Sequence, residues 1–250
     1  DKSNSTMFSE SESQILNRKI LSVLDFTKLE GLNTQEQIES ICQKAIYHQV
    51  AAICLEICNL KLANTFLKKA QSSISLVSVS NFPDGDQSFE QTSDEIDQAF
   101  SFGANEIDIV FPYHQYLANQ KSKAFNFIQK CRDFIPKNKI LKIIIETGAF
   151  EKIDDISEIS KTLIDLNVDF FKTSTGKNYQ GACLEKSKAI LLTIEKYSQG
   201  ATPTGFKASG GIKTKEQAVK YIELAQIIFG KEYIQPKTFR IGASQLIEQL

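Results

Sequence analysis

Apolar and polar positions alternate along the chain in two periods. Short runs rich in β-branched and aromatic residues predict strands, and longer stretches with an apolar residue every three or four positions predict helices. After a polar head, the apolar run 20–24 predicts the first strand. A break at 31–34 is then followed by a helical pattern through Ile38, Ile41 and Ala45.

The same alternation continues to the end of the chain. Further strands are predicted at 50–55, 74–80, 105–111, 139–146, 169–173, 204–207 and 238–241. Further helices are predicted at 59–69, 87–102, 114–134, 152–166, 183–197, 214–228 and 243–249. The pattern therefore predicts eight strands, each followed by a helix.

Eight such pairs, without a Gly/Pro-rich linker between the halves of the chain, favour a closed parallel barrel over an open sheet. An open nucleotide-binding sheet would carry a G-x-G-x-x-G turn after its first strand, and none follows Leu24 and Asp25. The predicted fold class is α/β. We expect one (β/α)8 TIM-barrel domain spanning 1–250, with a short N-terminal helical extension at 1–18.

Composition and charge exclude some classes of binding partner. The sequence has 29 basic and 30 acidic side chains, so no basic surface for nucleic acid is expected. No run approaches the roughly 18 apolar residues that span a bilayer, and the polar start of the chain does not resemble a signal peptide. We therefore expect a cytoplasmic protein with no membrane partner.

Cysteine and histidine usage indicates neither disulfides nor a metal. The five cysteines are odd in number and mostly scattered, without a paired C-x-x-C zinc pattern. His48 and His114 are the only histidines and have no third ligand nearby in the sequence. We predict free thiols, no metal and no cofactor.

Strand alternation places charged side chains inside the predicted barrel. Successive side chains of a strand point to opposite faces, which puts Lys142 and Glu146 on the inner face of one strand and Glu106 and Asp108 on that of another. Buried charges need partners or a ligand. For Lys142 and Glu146, a structural ion-pair network and a role at the site are both open.

Lys172 and Lys207 fall on the predicted sixth and seventh strands and are expected to be neighbours. A lysine that attacks a carbonyl must be neutral, but its ordinary pKa is about 10.4. A second ammonium about 5 Å away, at an effective dielectric near 20, contributes about 3.3 kcal/mol, which lowers the pKa by about 2.4. The pair predicts Lys172 as an amine nucleophile and Lys207 as its electrostatic activator.

Carboxylates near these lysines are candidates for proton transfer. Asp108, on the fourth strand, is predicted to carry protons through a bound water while an iminium and an enamine form. Asp25 and Glu146 are lesser candidates.

Glycine-rich turns after the last strands predict an anion site. The sequence carries Ser209-Gly210-Gly211 and Gly242-Ala243-Ser244 before helical segments, and Gly176-Lys177 after the sixth strand. Glycines let the backbone approach an anion, helix N-termini offer free N–H groups, and barrel enzymes often place a phosphate there.

Several ordered blocks resemble deoxyribose-phosphate aldolase, a class I aldolase family. They are 169–177 (DFFKTSTGK), 205–211 (GFKASGG), 81–83 (NFP), 106–113 (EIDIVFPY), 141–148 (LKIIIETG) and 240–244 (RIGAS). The resemblance runs from about Leu24 to the end of the chain.

The resemblance implies a barrel enzyme that cleaves 2-deoxyribose 5-phosphate reversibly into glyceraldehyde 3-phosphate and acetaldehyde. Lys172 would form the Schiff base, Lys207 would lower its pKa, and Asp108 would relay protons. The implied phosphate ligands are Gly176, Lys177, Gly210, Gly211, Gly242 and Ser244. We add Asp25, Lys142 and Thr173 to the predicted substrate site.

Two alternatives stay open at this point. One is a Schiff-base aldolase with another small aldehyde or ketone as donor, and the other is a non-catalytic phosphosugar-binding barrel. The expected partner is a small phosphosugar; a homodimer is common in the family, but no face of the sequence identifies an interface.

The chain also departs from the family pattern. Glu56, Ile57 and Cys58 stand after the second strand, where a Tyr-Pro-Arg-like segment is usual, so the pocket wall is expected to differ there. Gln245 stands where a second serine is common. Cys54 is expected near the barrel mouth.

Overall fold

The computed structural model describes residues 2–250, with side chains from residue 12 onward. The strands are β1 Leu24–Lys28, β2 Ala52–Leu55, β3 Ser75–Ser80, β4 Glu106–Val110, β5 Ile140–Ile144, β6 Phe170–Lys172, β7 Gly205–Ser209 and β8 Phe239–Ala243. The helices are α1 Lys2–Ser22, α2 Gln35–His48, α3 Ile57–Lys69, α4 Phe89–Ser101, α5 Tyr113–Leu117, α6 Lys121–Phe134, α7 Ile153–Asp165, α8 Leu184–Tyr197 and α9 Lys215–Phe229.

The eight strands form one closed parallel barrel in chain order. Each strand pairs with the next, and β8 pairs with β1 through Leu24 opposite Ile241 and Asp25 opposite Gly242. The predicted (β/α)8 barrel is therefore confirmed. Among residues 2–250, no helix has the length and apolar character needed to cross a membrane.

Helix starts follow their capping residues. Thr34 and Thr214 each accept a hydrogen bond from the backbone N–H three residues on, and Gln37 and Gln217 bond back to the cap. These capping boxes satisfy backbone groups that the first turn leaves free.

Three predicted elements were wrong in part. The run 20–24 is not the first strand, because α1 continues through Ser22 and β1 begins at Leu24. Ile20 and Leu21 are buried as the inner face of the last helical turn, which a short apolar run cannot distinguish from a strand. The predicted extension at 1–18 falls within α1, except for residue 1, which lies outside the described residues.

The other two differences concern helices. The predicted helix at 114–134 is two helices, α5 and α6, with Asn119 at a positive φ of 61° between them. At 243–249, β8 extends to Ala243 because its last residues pair with β1, and only a 3₁₀ turn follows at Leu246–Gln249.

The core lies mainly between the strands and the surrounding helices. Outward strand residues such as Ile107, Ile109 and Ile143 are fully buried, as are Ile128 and Leu163 on the helices around them. The inside of the barrel is different, because it holds charged side chains that are equally buried. The apolar layer therefore holds the barrel closed around a polar centre.

Gly205, the first residue of β7, leaves room for the ring of Phe170 on β6. A Cβ at Gly205 would lie 2.5 Å from that ring. The ring itself lies 5.7 Å from the Lys142 nitrogen and 5.4 Å from the Arg240 guanidinium. The missing side chain thus lets an aromatic ring cover two buried cations.

We predict that Gly205→Ala lowers the free energy of unfolding by about 1–3 kcal/mol, the usual range for overpacking a core. Urea unfolding measures the loss. In a double-mutant cycle with Phe170→Leu, the combined loss should be smaller than the two single losses added together, since the smaller side chain relieves the clash. Strictly additive losses would contradict this account.

Candidate active site

Register between neighbouring strands brings the predicted catalytic residues together. Lys172 ends β6 and lies opposite Lys207 on β7, while Asp108 on β4 lies opposite Lys142 on β5. All four side chains are 0–3% exposed. The strand alternation used in the sequence analysis therefore places them correctly on the inner face.

An ion network fills the inside of the barrel. Its members are the carboxylates Asp25, Glu106 and Asp108 and the cations Lys142, Lys172, Lys207 and Arg240. Sequence reasoning placed Glu106 inside the barrel without a role and named Arg240 only within a motif. Their contacts depend on side chains from strands far apart in the sequence, which a local pattern does not reveal.

Asp108 is the common partner of the three lysines. Its Oδ2 accepts hydrogen bonds from Lys172 at 3.1 Å and from Lys207 at 2.9 Å, and its Oδ1 accepts one from Lys142 at 3.1 Å. Lys172 and Lys207 are therefore neighbours that share a single oxygen atom.

The pKa values of the two neighbouring lysines are shifted in opposite directions. Lys207 also donates to Asp25 Oδ2 at 2.6 Å, and although burial opposes it, Asp108 and Asp25 together raise the pKa of Lys207. Burial, followed by the positive charge of Lys207, lowers the pKa of Lys172, and Asp108 offsets only part of this. The sequence argument gave the main effect to Lys207, but burial is the larger cause.

Neighbouring cations lower the pKa of Asp108 and of Asp25. Burial alone would raise the pKa of Asp108, but Lys142, Lys207 and Lys172 outweigh it and hold that pKa well below its usual range. Lys207 does the same for Asp25, together with Arg240. The Asp108 carboxylate thus accepts its hydrogen bonds from the side-chain nitrogens of three lysines.

A cavity of about 210 Å³ opens above Lys172, between the loops that follow β6, β7 and β8. The residues predicted to hold a phosphate all line it, namely Gly176, Lys177, Gly210, Gly211, Gly242 and Ser244. Lys172 reaches its floor. The nitrogen predicted as nucleophile and the predicted anion site therefore share one cavity.

The glycines of these loops are needed for their backbone shape. Gly176, Gly210 and Gly211 have φ values of 78°, 88° and 78°, a region that favours glycine. A Cβ on Gly210 would lie 2.9 Å from the Cα of Gly181, and Gly211 has nothing within 4 Å where its side chain would be. The loops pack closely on one side and leave open space on the other.

Polar and charged groups that the sequence analysis missed also line the cavity. They are Thr27, Glu30, Thr175 and Lys213. Lys213 is exposed and follows the Gly210-Gly211 pair by two residues, a spacing that could have identified it. Lys177, on the opposite loop, donates to the carbonyl of Leu29 at 2.7 Å across the mouth.

Three predicted substrate contacts do not line this cavity. Asp25 and Lys142 are 0% exposed and lie deeper in the ion network, so they act through other side chains. Thr173 donates to the carbonyl of Ser209 at 3.0 Å and accepts from its N–H at 3.1 Å, which ties two loops together. Their direct contact with the substrate stays a prediction, and their places outside the cavity lining favour a supporting role.

The unusual segment after β2 holds the loop after β1. Glu56 accepts a hydrogen bond from the N–H of Gly31 at 2.9 Å, and Asn59 donates to the Gly31 carbonyl at 2.9 Å. Ile57 and Cys58 line a second cavity of about 540 Å³ that also touches Lys177. Residues 56–58 therefore lie beside the mouth of the barrel, and the difference of this wall from the family's stays a prediction.

Gln245 and Cys54 both lie outside the lining of the cavity above Lys172. Gln245 is exposed. Cys54 is fully buried, and burial raises the pKa of its thiol. Among side chains 12–250, no three histidine, cysteine or carboxylate groups are arranged to hold a metal ion; that no metal is required stays a prediction.

A family model of DeoC/LacD family aldolases matches residues 17–246. This chain belongs to the DeoC/LacD aldolase family. Membership of this family implies an aldolase, which is a lyase.

Solved structures with the same fold agree with this assignment. A proposed deoxyribose-phosphate aldolase from Coccidioides immitis is 27% identical, with a TM-score of 0.81 over 93% of this chain and 85% of that one. One from Toxoplasma gondii ME49 is 19% identical, with a TM-score of 0.84 over 95% and 92%. The deoxyribose phosphate aldolase from Aeropyrum pernix, described as tetrameric, is 20% identical, with a TM-score of 0.73 over 94% and 95%.

Glu146 fixes the loop that carries the cavity wall of this aldolase. It has a φ of 59°, is fully buried, and accepts hydrogen bonds from the N–H of Thr175 at 3.1 Å and from its hydroxyl at 2.6 Å. Burial raises the pKa of Glu146 in spite of these bonds. Glu146 therefore positions the loop after β6.

We predict that Glu146→Gln stabilises this aldolase at neutral pH and has no such effect in acid. A raised pKa in the folded state means that wild-type stability falls as the pH rises from the ordinary glutamate pKa of about 4.3 through the folded value. Glutamine keeps an oxygen for the Thr175 N–H and has no proton to lose. Urea unfolding across a pH series measures the difference.

The matched control is Glu158→Gln, because Glu158 is half-exposed and pairs with Lys121. It should show no gain that grows with pH. A Glu146→Gln variant that is less stable than wild type at neutral pH would contradict the prediction.

Proposed function

We propose that the protein is a class I 2-deoxy-D-ribose 5-phosphate aldolase, in which Lys172 forms the Schiff base. One observation carries the proposal: Lys172, a lysine with a lowered pKa, meets the floor of a cavity whose rim is built from glycine loops and two further lysines. An amine that loses its proton readily suits attack on a carbonyl. The rim suits the phosphate of the same substrate.

The proposed reaction begins when the neutral Lys172 amine attacks the aldehyde carbon of the open-chain sugar. The resulting carbinolamine expels water and becomes an iminium. The bond between C2 and C3 then breaks as the C3 hydroxyl gives up its proton, which releases glyceraldehyde 3-phosphate and leaves an enamine on Lys172. Protonation of the enamine at carbon and hydrolysis of the iminium release acetaldehyde and restore the amine.

Asp108 is the proposed proton relay in these steps. It lies 3.1 Å from the Lys172 nitrogen and 2.9 Å from the Lys207 ammonium. Because the pKa of Asp108 is held low, it begins the reaction as a carboxylate that can accept a proton and pass it on. Lys207 keeps its proton and, as a positive neighbour, helps Lys172 to lose its own.

The phosphate of the substrate is proposed to lie at the glycine loops. Backbone N–H groups of Gly176, Gly210 and Gly211 can approach it closely, and Lys177 and Lys213 supply positive charge. Contact with a phosphate would require Lys177 to leave the Leu29 carbonyl. The proposed role in the cell is the catabolism of deoxyribose from deoxynucleosides in the cytoplasm.

One prediction of the proposed function concerns the covalent step at Lys172. Incubation with acetaldehyde and borohydride should reduce the iminium and leave an N-ethyl group on Lys172, which peptide mass mapping locates. Lys172→Arg should lose both the adduct and turnover, whereas Lys220→Arg, an exposed change on α9, should keep both. An adduct on another lysine, or none, would overturn the mechanism.

The same experiment separates the alternatives. An adduct that forms with another small aldehyde or ketone, but not with acetaldehyde, would favour an aldolase with a different donor. Binding of deoxyribose 5-phosphate without cleavage or adduct would favour a phosphosugar-binding barrel.

Another prediction of the proposed function concerns the phosphate site. Lys177→Met and Lys213→Met should each lower kcat/KM for deoxyribose 5-phosphate about 10- to 150-fold, since a hydrogen bond to a charged group contributes about 1.5–3 kcal/mol. Activity on unphosphorylated deoxyribose should change little. Lys220→Met is the matched control on a surface lysine. Equal losses on both substrates would remove the lysines from the phosphate site.

A homodimer stays a prediction; the Aeropyrum pernix enzyme is described as a tetramer.

A further inference from the structure

Glu106 and Arg240 form a buried pair that lies outside the cavity above Lys172. Arg240 donates from both terminal nitrogens to the two oxygens of Glu106, at 2.9 and 3.0 Å. Its Nε donates to the carbonyl of Pro236 at 2.6 Å, which fixes the guanidinium plane. The two side chains cannot touch a substrate bound above Lys172, because they are 1% and 3% exposed and lie deeper in the barrel.

Two chains of ion pairs connect this pair to Lys172. Glu106 pairs with Lys142, and Lys142 donates to Asp108. Arg240 donates to Asp25 Oδ1 at 2.9 Å, and the other oxygen of Asp25 accepts from Lys207.

Both chains end at the carboxylate that Lys172 contacts. Lys142 and Lys207 each donate to Asp108, at 3.1 and 2.9 Å, and Lys172 donates to the same Asp108 at 3.1 Å. Any change in the charge of the deeper pair therefore acts on the atoms around the reactive nitrogen.

The charge count of the network singles out one cation. Three carboxylates face four cations, so the network is balanced only when one of the cations is neutral. Arg240, Lys142 and Lys207 each contact at least two carboxylates. Lys172 contacts only Asp108, through an oxygen that it shares with Lys207.

We propose that Glu106 and Arg240 are positioning residues whose opposite charges set how readily Lys172 loses its proton. The proposal deepens the proposed aldolase function and rests on it. Glu106 holds Lys142 charged, and Arg240 supports Asp25 as the second partner of Lys207. With those two lysines fixed as cations, the excess positive charge falls on Lys172.

Other ionisable groups face Lys172 as well. They are Asp108 from β4, Lys207 from β7, the Cys54 thiol from β2 and Glu146 after β5. None of them is substituted when only the deeper pair is altered. The two deeper charges can therefore be varied while the groups next to Lys172 stay in place.

The sign of each effect follows from Coulomb's law. Glu106→Gln removes a negative charge, so Lys172 should lose its proton at lower pH. Arg240→Gln removes a positive charge, so Lys172 should keep its proton to higher pH. A unit charge about 10 Å away at an effective dielectric near 20 moves a titration by about one pH unit.

The experiment measures the titration of Lys172 without relying on aldolase activity. Trace labelling with acetic anhydride across a pH series, with the Lys172 peptide quantified by mass spectrometry against the Lys220 peptide, gives the pH at which the amine becomes reactive. We expect a shift of about one pH unit downward for Glu106→Gln and upward for Arg240→Gln. The double variant, which restores the charge balance, should return close to wild type.

Matched controls come from an exposed pair. Lys121 and Glu158 lie 3.1 Å apart with side chains nearly half exposed, and Lys121→Gln and Glu158→Gln should leave the titration unchanged. Where one single variant fails to fold, the other single variant still gives the direction of the shift in the Lys172 titration, and the double variant shows whether that shift is reversed.

The outcomes distinguish this inference from the proposed function. Shifts in the same direction, no shift, or a double variant as far from wild type as the single ones would overturn it, and so would a Lys172 that is never acetylated. If the two variants shift the Lys172 titration in opposite directions but acetaldehyde does not trap on the wild-type protein, the aldolase proposal would instead be contradicted.

Discussion

Burial of seven ionisable groups inside a closed barrel is the constraint on which the rest of the site depends. Charged groups out of contact with water must be paired, and here the pairing is incomplete by one carboxylate. The network stabilises the charge of each cation that contacts at least two carboxylates. Lys172 contacts only Asp108, through an oxygen that it shares with Lys207. Lys172, the proposed nucleophile, is thus distinguished from the other cations by having only one carboxylate partner, which it shares.

The barrel provides the two conditions that this arrangement needs. The apolar layer between strands and helices keeps water away from the network, and Phe170 covers Lys142 and Arg240. At the other end, glycine turns keep the loops close together and leave open space above Lys172. The same nitrogen is therefore dry on one side and accessible on the other, which suits an amine that must exist without its proton and still meet a carbonyl.

Much of this could be predicted from the sequence, because it depends on local periods and on strand register. Alternation along β4, β5 and β6 placed Asp108, Lys142 and Lys172 inside the barrel, and the glycine turns pointed to an anion site. The end of α1 could not be separated from β1, since the last buried turn of a helix and the first residues of a strand are both short apolar runs. The roles of Glu106 and Arg240 were missed because their contacts join β4 to β8, and the exclusion of Lys142 from the cavity depends on depth within the barrel, which alternation does not record.

The central claim is that Lys172, alone among the lysines of the network, gives up its proton in the folded protein. Side-chain NMR of protein labelled with ¹⁵N-lysine measures this directly, because the Nζ resonance moves as the amine titrates, and the Lys172→Arg spectrum assigns the signal. The account predicts that the Lys172 resonance titrates below the range of the exposed lysines, while those of Lys142 and Lys207 do not move over the pH range in which the protein stays folded. A Lys172 that titrates with the exposed lysines, or a Lys207 that loses its proton first, would contradict it.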